Sequence, residues 1–267
     1  MRIPDFQQRL ADIGAKPRHI GRMTRAWLKG LPLDVGRRQQ QAEDFLPLSV
    51  REGLPALSLE IDALARLRSE HPAADGSARL LVELGDGQMV ESVLLPRDGL
   101  CVSSQVGCAV GCVFCMTGKS GLLRQLGSAE IVAQVALARR FRPVKKVVFM
   151  GMGEPAHNLD NVLEAIDLLG TEGGIGHKNL VFSTVGDLRV FERLPQQRIK
   201  PALALSLLTM YLLSWLTYRT SKRLVTPVNW LAGVVSRWDP RAPDLEAIAP
   251  PRLPLQSLLC LRHDCAV

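Results

Sequence analysis

The sequence predicts an α/β protein: a parallel sheet of βα units, entered through a β-hairpin and preceded by a helical segment. Three observations predict it. Apolar residues recur at helical spacing through the first seventy positions. A strand pattern alternates on both sides of Asp86-Gly87. From Leu100 onward, short apolar runs alternate with amphipathic stretches, the pattern of strands joined by crossover helices. With 267 residues, 47% hydrophobic and 22% charged, the chain can build a core, which excludes a disordered, collagen-like or disulfide-stapled chain.

The elements follow in order. Phe6, Leu10 and Ile13, then Met23, Trp27 and Leu28, then Ile61, Leu64, Ala65 and Leu67 mark helices. Leu80, Val82 and Leu84 alternate with polar neighbours, so Arg79 to Leu84 and Gln88 to Leu95 are predicted as a hairpin around the Asp-Gly turn. A strand is expected near Leu100 to Ser103, followed by a cysteine-bearing loop and a helix from Ser128 to Phe141, with Ser128 as its N-cap and Glu130 facing the positive end of the dipole. Then come a strand from Lys146 to Met150, a helix from Leu159 to Leu169, a strand from Asn179 to Ser183, a helix from Leu188 to Leu194 and a strand from Ala202 to Leu207. This rhythm divides the chain into a helical accessory domain at 1–75, a hairpin connector at 76–99, a βα domain at 100–207 and an atypical tail at 208–267. The tail holds both tyrosines, three of the four tryptophans and a run of prolines, without βα rhythm.

The formal charge of +7 favours a polyanionic partner, and Lys16, Arg18, Arg22, Arg25, Lys29, Arg37 and Arg38 concentrate it near the N-terminus. A solvated helical surface explains the same run. MRIPDFQQRL lacks the apolar core of a secretory signal, and Leu208 to Leu216 is far short of the roughly 20 residues that span a bilayer. A cytoplasmic protein without a membrane anchor is expected. Of six cysteines, four crowd between Cys101 and Cys115, which in a reducing compartment points to metal or redox chemistry.

The sharpest feature is Cys108-x-x-x-Cys112-x-x-Cys115, three thiols in a Gly-containing loop after a predicted strand. Thiolates suit iron-sulfur clusters, and three of them on a four-iron cluster leave one iron open. Structural zinc needs a fourth ligand, which the local sequence offers only if Cys101 bends back. A second signal is Gly151-Met152-Gly153-Glu154-Pro155 after a strand, where glycines admit a ligand close to backbone and Glu154 can accept from an ammonium group.

The cysteine loop, with Phe114 before its last cysteine, resembles that of the radical S-adenosylmethionine (SAM) superfamily. More narrowly, LCVSSQVGCAVGCVFCMTG, VVFMGMGEPAHNLDNV, LVFSTVG and LALSL resemble the RlmN/Cfr family of RNA-adenine C2 or C8 methyltransferases over roughly Phe6 to Leu207. The resemblance implies a partial (β/α) barrel with an N-terminal accessory domain that helps hold RNA. It implies a 4Fe-4S cluster held by Cys108, Cys112 and Cys115, and SAM held by Gly153, Glu154, Ser183 and Ser206. Glu91 matches the family's acid/base glutamate, and Cys101 matches a cysteine that pairs transiently with a methyl-carrying cysteine near the C-terminus. Read alone, Glu91 is a charged hairpin residue and Cys101 a small buried hydrophobe. The implied partners are ribosomal or transfer RNA and an electron donor such as flavodoxin. The implied reaction uses two SAM molecules: one methylates the carrier cysteine, and the other yields a radical that takes hydrogen from that methyl group before it adds to the adenine.

The family pattern departs at Ser206-Leu207-Leu208, where SLH is expected, and Cys260 and Cys265 lack the surroundings of the methyl carrier. A shifted reading frame or truncated gene explains the change, and predicts an incomplete catalytic set. An inactive cluster-binding remnant and an iron-sulfur electron carrier are the alternative readings.

Overall fold

In the computed structural model, which describes residues 1–36, 40–112 and 115–206, the N-terminal periodicity resolves into three helices. Helices α1 (Ile3–Asp12) and α2 (Pro17–Leu28) each carry a proline within their first two positions, where a missing N–H leaves no bond unmade. Phe6 and Trp27 from these helices pack with ring centroids 4.8 Å apart. Helix α3 (Leu48–Asp62) turns Val50, Leu54, Leu57 and Ile61 inward. Arg37, Arg38, Phe114 and the tail predicted at 208–267, with Cys260 and Cys265, lie outside the described residues.

Helical character was expected through Leu67 but stops earlier, because β1 (Arg66–Pro72) begins there and pairs antiparallel with β2 (Ala78–Glu83). Strand β1 is an exposed outer strand with Leu67 as its one large aliphatic side chain. It is held by backbone bonds rather than by burial, so no alternation announces it. The hairpin of β2 and β3 (Met89–Leu95) forms as expected, with Val82 opposite Val90 and Gly87 at φ 81° in the turn.

Strand β4 (Gly99–Val102) is followed by a small antiparallel ribbon, β5 (Gln105–Gly107) and β6 (Leu122–Gln125), which brackets the cysteine loop. Then come α4 (Ser128–Arg139), β7 (Lys146–Phe149), α5 (Leu159–Thr171), β8 (Leu180–Thr184), α6 (Leu188–Arg193) and β9 (Ala202–Leu205). The main sheet has the order β1-β2-β3-β4-β7-β8-β9. Pairing is antiparallel from β1 to β4 and parallel from β4 to β9. Among the described residues the sheet is open and not closed into a barrel, and the predicted α/β class with its N-terminal helices and hairpin is what they form.

Helix α4 is buried along Ser128–Ala138, as a helix enclosed on all sides must be: it packs on β4 and against α1, α2 and α5. Its N-cap is Gly127 rather than Ser128. The Ser128 hydroxyl instead accepts the Ile3 N–H at 2.8 Å, and Glu130 caps the helix by accepting the Gly127 N–H at 2.7 Å. All described residues belong to one compact unit, Met1–Tyr211. Among them, no helix is long and apolar enough to cross a membrane.

The strand register divides the sheet into two unlike faces. Leu100, Val102, Val147, Phe149, Leu180 and Phe182 are fully buried on the side of α4. On the other side Glu91, Val93, Cys101, Val148, Val181 and Ala202 are half-buried.

Candidate functional site

The cysteine loop is pinned at its neck. The Cys108 N–H donates to the Gly121 carbonyl at 2.9 Å, and the Cys115 N–H donates to the Cys112 carbonyl at 3.0 Å. Gly107 makes the neck possible: at φ 79° it lies so close to the Gly121 carbonyl that a Cβ would collide with it. Cys108 is buried, while Cys112 and Cys115 are half-buried.

Burial, reinforced by Cys112, Cys115 and the Glu154 carboxylate, pushes the Cys108 thiol up, against the opposing pull of the Val110 backbone N–H. Cys108 thus lies within electrostatic reach of both other loop thiols and of the glutamate. Among the described residues, no three His, Cys, Asp or Glu side chains are gathered into a metal-holding group. The donor chemistry nevertheless fits a soft metal cluster: three sulfurs in one glycine-bearing loop.

The Gly151–Pro155 turn sits at the C-terminal end of β7, where ligands bind in open α/β sheets. The Glu154 carboxylate is buried; one oxygen accepts the Ala156 N–H at 3.0 Å and the other the Val185 N–H at 3.1 Å. The carboxylate therefore ties its turn to the segment after β8. Gly153, at φ 99°, places a would-be Cβ 2.5 Å from the Gln105 side chain. Ser183 is buried in β8, and the Ser206 N–H donates to the Thr184 carbonyl at 2.8 Å, extending the β8–β9 pairing.

Cys101 stays in β4, opposite Val93 and beside Val148. It does not bend back toward the loop, and burial pushes its thiol up to about 11. Glu91 lies on β3 and pairs with Arg79 at 3.3 Å. The register places Glu91, Cys101, Ser183 and Ala204, two positions before Ser206, on the same half-buried face of the sheet.

Two further side chains join these pieces. The Ser103 hydroxyl donates to the Glu91 carbonyl at 2.5 Å and accepts the Met152 N–H at 2.8 Å. Gln105, fully buried, accepts the Glu154 N–H at 2.7 Å and donates to Gln125 at 2.8 Å; Gln125 in turn donates to the His157 carbonyl at 2.9 Å. Behind them Gln134 of α4 grips Ser103 twice, accepting its N–H at 2.9 Å and donating to its carbonyl at 3.0 Å, and also accepts the Ser92 hydroxyl. The Ser-Ser-Gln lead-in to the loop was visible in the sequence, but its bonding roles were not.

Residues 102–209 match the Radical SAM superfamily. A protein of Ectopseudomonas mendocina named a probable RNA methyltransferase is 83% identical over 209 residues, which cover 78% of this chain and 60% of that protein. One of Chromobacterium violaceum, named likewise, is 78% identical over 209 residues and 59% of its length. The crystal structure of a radical SAM methyltransferase from Sphaerobacter thermophilus superposes with a TM-score of 0.61 at 32% identity, over 77% of this chain and 61% of that one. The chain thus spans about 60% of the length of the curated relatives it matches. What the comparisons establish is the similarity itself: residues 102–209 match the radical SAM superfamily.

Proposed function

We propose that the chain acts as a radical SAM RNA methyltransferase of the RlmN/Cfr type, directed at carbon 2 or 8 of an adenine in ribosomal or transfer RNA. One observation carries the reading: a single sheet face holds Glu91, Cys101 and Ser183, with the cysteine loop and the Glu154 turn joined at its C-terminal rim through Gln105. Names of relatives and the superfamily match support it.

In this reading Cys108, Cys112 and Cys115 hold a 4Fe-4S cluster, reduced by a donor such as flavodoxin. Together with SAM, the bound cluster supplies one-electron cleavage of the sulfonium. Glu154, held by two backbone N–H groups, keeps lone pairs to accept from the SAM ammonium group. Gly153 lets backbone approach it, and Ser183 and Ser206 offer hydroxyls along the rim. Cys101 stays a neutral thiol at pH 7, suited to deliver hydrogen or to pair with a second sulfur. Glu91 keeps a partly exposed carboxylate for proton transfer.

The test is anaerobic reconstitution followed by iron and sulfide analysis, EPR with and without SAM, and assays of SAM cleavage and RNA methylation. We expect about four irons per chain by cluster stoichiometry, a SAM-dependent EPR change, and loss of both in Cys112→Ala. A second reading, a cluster-binding chain without turnover, is favoured by the loss of family pattern after Ser206. It predicts the same iron content and SAM response with no methylated RNA. Stoichiometric zinc in place of iron would defeat both readings.

A further inference from the structure

At the end of α4, remote from the cysteine loop, the chain runs Arg139-Arg140-Phe141-Arg142-Pro143-Val144-Lys145-Lys146. Together with Lys29, at the end of α2, the first part of this run lines a shallow depression of about 440 Å³. Its floor is cationic in an unusual way. The Arg139 guanidinium, largely buried, donates to the carbonyls of Leu28, Val144 and Gly173 at 2.6–3.0 Å. Arg142 donates to the carbonyls of Gly76 and Leu95 at 3.1 and 2.8 Å, and its Nε is buried without a partner. Neither forms an ion pair among the described residues, and neither does Lys29. Carboxylates answer the patch in two places: Asp62 bonds Arg140 at 2.5 Å and Asp98 bonds Lys145 at 2.7 Å.

The carbonyl ends of α2 and α4 account for part of this charge, since cations suit helix C-termini. They do not account for Phe141, a large apolar ring left 50% exposed among the cations. Guanidinium and ammonium groups around an exposed aromatic face are the two components that hold a nucleic-acid strand: charge for the phosphodiester, ring for a base. The depression precedes β7, whereas the Glu154 turn follows it, so the two lie at opposite ends of a four-residue strand, roughly 13 Å of chain.

We propose that Lys29, Arg140 and Phe141, over the fixed charges of Arg139 and Arg142, form a second contact for the RNA strand, binding its phosphodiester and stacking one base outside the reacting site. The inference rests on the RNA-directed function above. Arg139 and Arg142 hold carbonyls of neighbouring elements and are left intact in the test.

The full chain, reconstituted anaerobically, is titrated against fluorescein-labelled oligoadenylate by anisotropy across a KCl series. Replacing Lys29→Gln together with Arg140→Gln should weaken binding and reduce the slope of log affinity against log salt by about 0.7 to 1.4, since each cation on a single strand contributes about 0.7 and Arg140 must leave Asp62 to contribute its share. Phe141→Ala should weaken binding about tenfold with the slope unchanged. The charge-preserving pair Lys29→Arg with Arg140→Lys should keep the parent slope, and thermal melts confirm that each variant folds. Iron content and the SAM-dependent EPR change are measured on the same samples and should not move.

Unchanged affinity and slope in both variants would overturn the proposal, as would failure of the parent chain to bind the probe while its iron and SAM signatures are normal. A chain that binds the probe with these slopes but takes up no iron would leave the contact standing and defeat the methyltransferase reading instead.

Discussion

Cys101 illustrates how one buried side chain sets a chemical state. Its thiol is moved from 9.0 up to about 11 by burial in β4. A raised value means that its share of stability is intact below about pH 9 and is lost as pH climbs through the folded value. Iodoacetamide labelling followed by peptide mass analysis should therefore find Cys101 nearly unreactive at pH 8, with the rate rising steeply only above about pH 10. Labelling at the rate of a free peptide thiol would contradict this. Gly153 is constrained differently: Gly153→Ala adds a Cβ at φ 99° against Gln105 and should cost about 1–3 kcal/mol in urea unfolding. The cysteine spacing and the Glu154 turn were legible because their donors are close in sequence. The roles of Ser103 and Gln105 were not, because their partners Gln134 and Glu154 lie 31 and 49 positions away. No local pattern encodes a contact at that range.

Between elements, Arg124 of β6 couples the cysteine ribbon to its supports. It bonds Asp86 in the hairpin turn at 2.6 Å and Glu130 at the start of α4 at 2.8 Å. These bonds raise the guanidinium above its ordinary range, and the Arg124 bond, ahead of the Gln88 N–H, holds the Asp86 carboxyl below its own. Arg124→Ala strands a nearly buried Glu130 and should cost about 2 kcal/mol, less than a fully buried pair because Arg124 is 30% exposed. A shifted urea midpoint with unchanged slope is the expected signature. Since a lowered carboxyl stabilises above its unfolded value, the parent should lose Asp86's contribution as pH falls through the folded one; an Asp86→Asn variant should not. Most elements were readable at this scale, because α5, β7 and β8 each carry their own apolar pattern. Strand β1 was not readable, since its pairing is made by backbone atoms common to every sequence. The β5–β6 ribbon was missed for a related reason: three and four residues are too few to show a period.

Across the whole chain, protection should follow the layering rather than the sequence order. Amides of β7 and β8, in the middle of the parallel region and beneath buried Phe149 and Phe182, should exchange slowest. Those of β1, exposed along most of its length, should exchange fastest among the strands. Hydrogen exchange read by mass spectrometry checks this directly, and slow exchange at β1 would mean that something covers it.

The N-terminal helices are fastened to α4 and α5 at several separate points. Arg2 reaches Glu164 at 2.8 Å, Arg25 reaches Glu172 at 2.7 Å, Ile3 is held by Ser128, and Arg139 clasps the last turn of α2. Such multiple tethering fixes the position of α1 and α2 against the helices that cover the sheet. Under the function proposed above, α1 and α2 would be the fixed arm of a caliper: an RNA touching them and the thiol loop at once would have to match a preset span. Selection among polymers would then turn on the length and bend of the strand as much as on its bases.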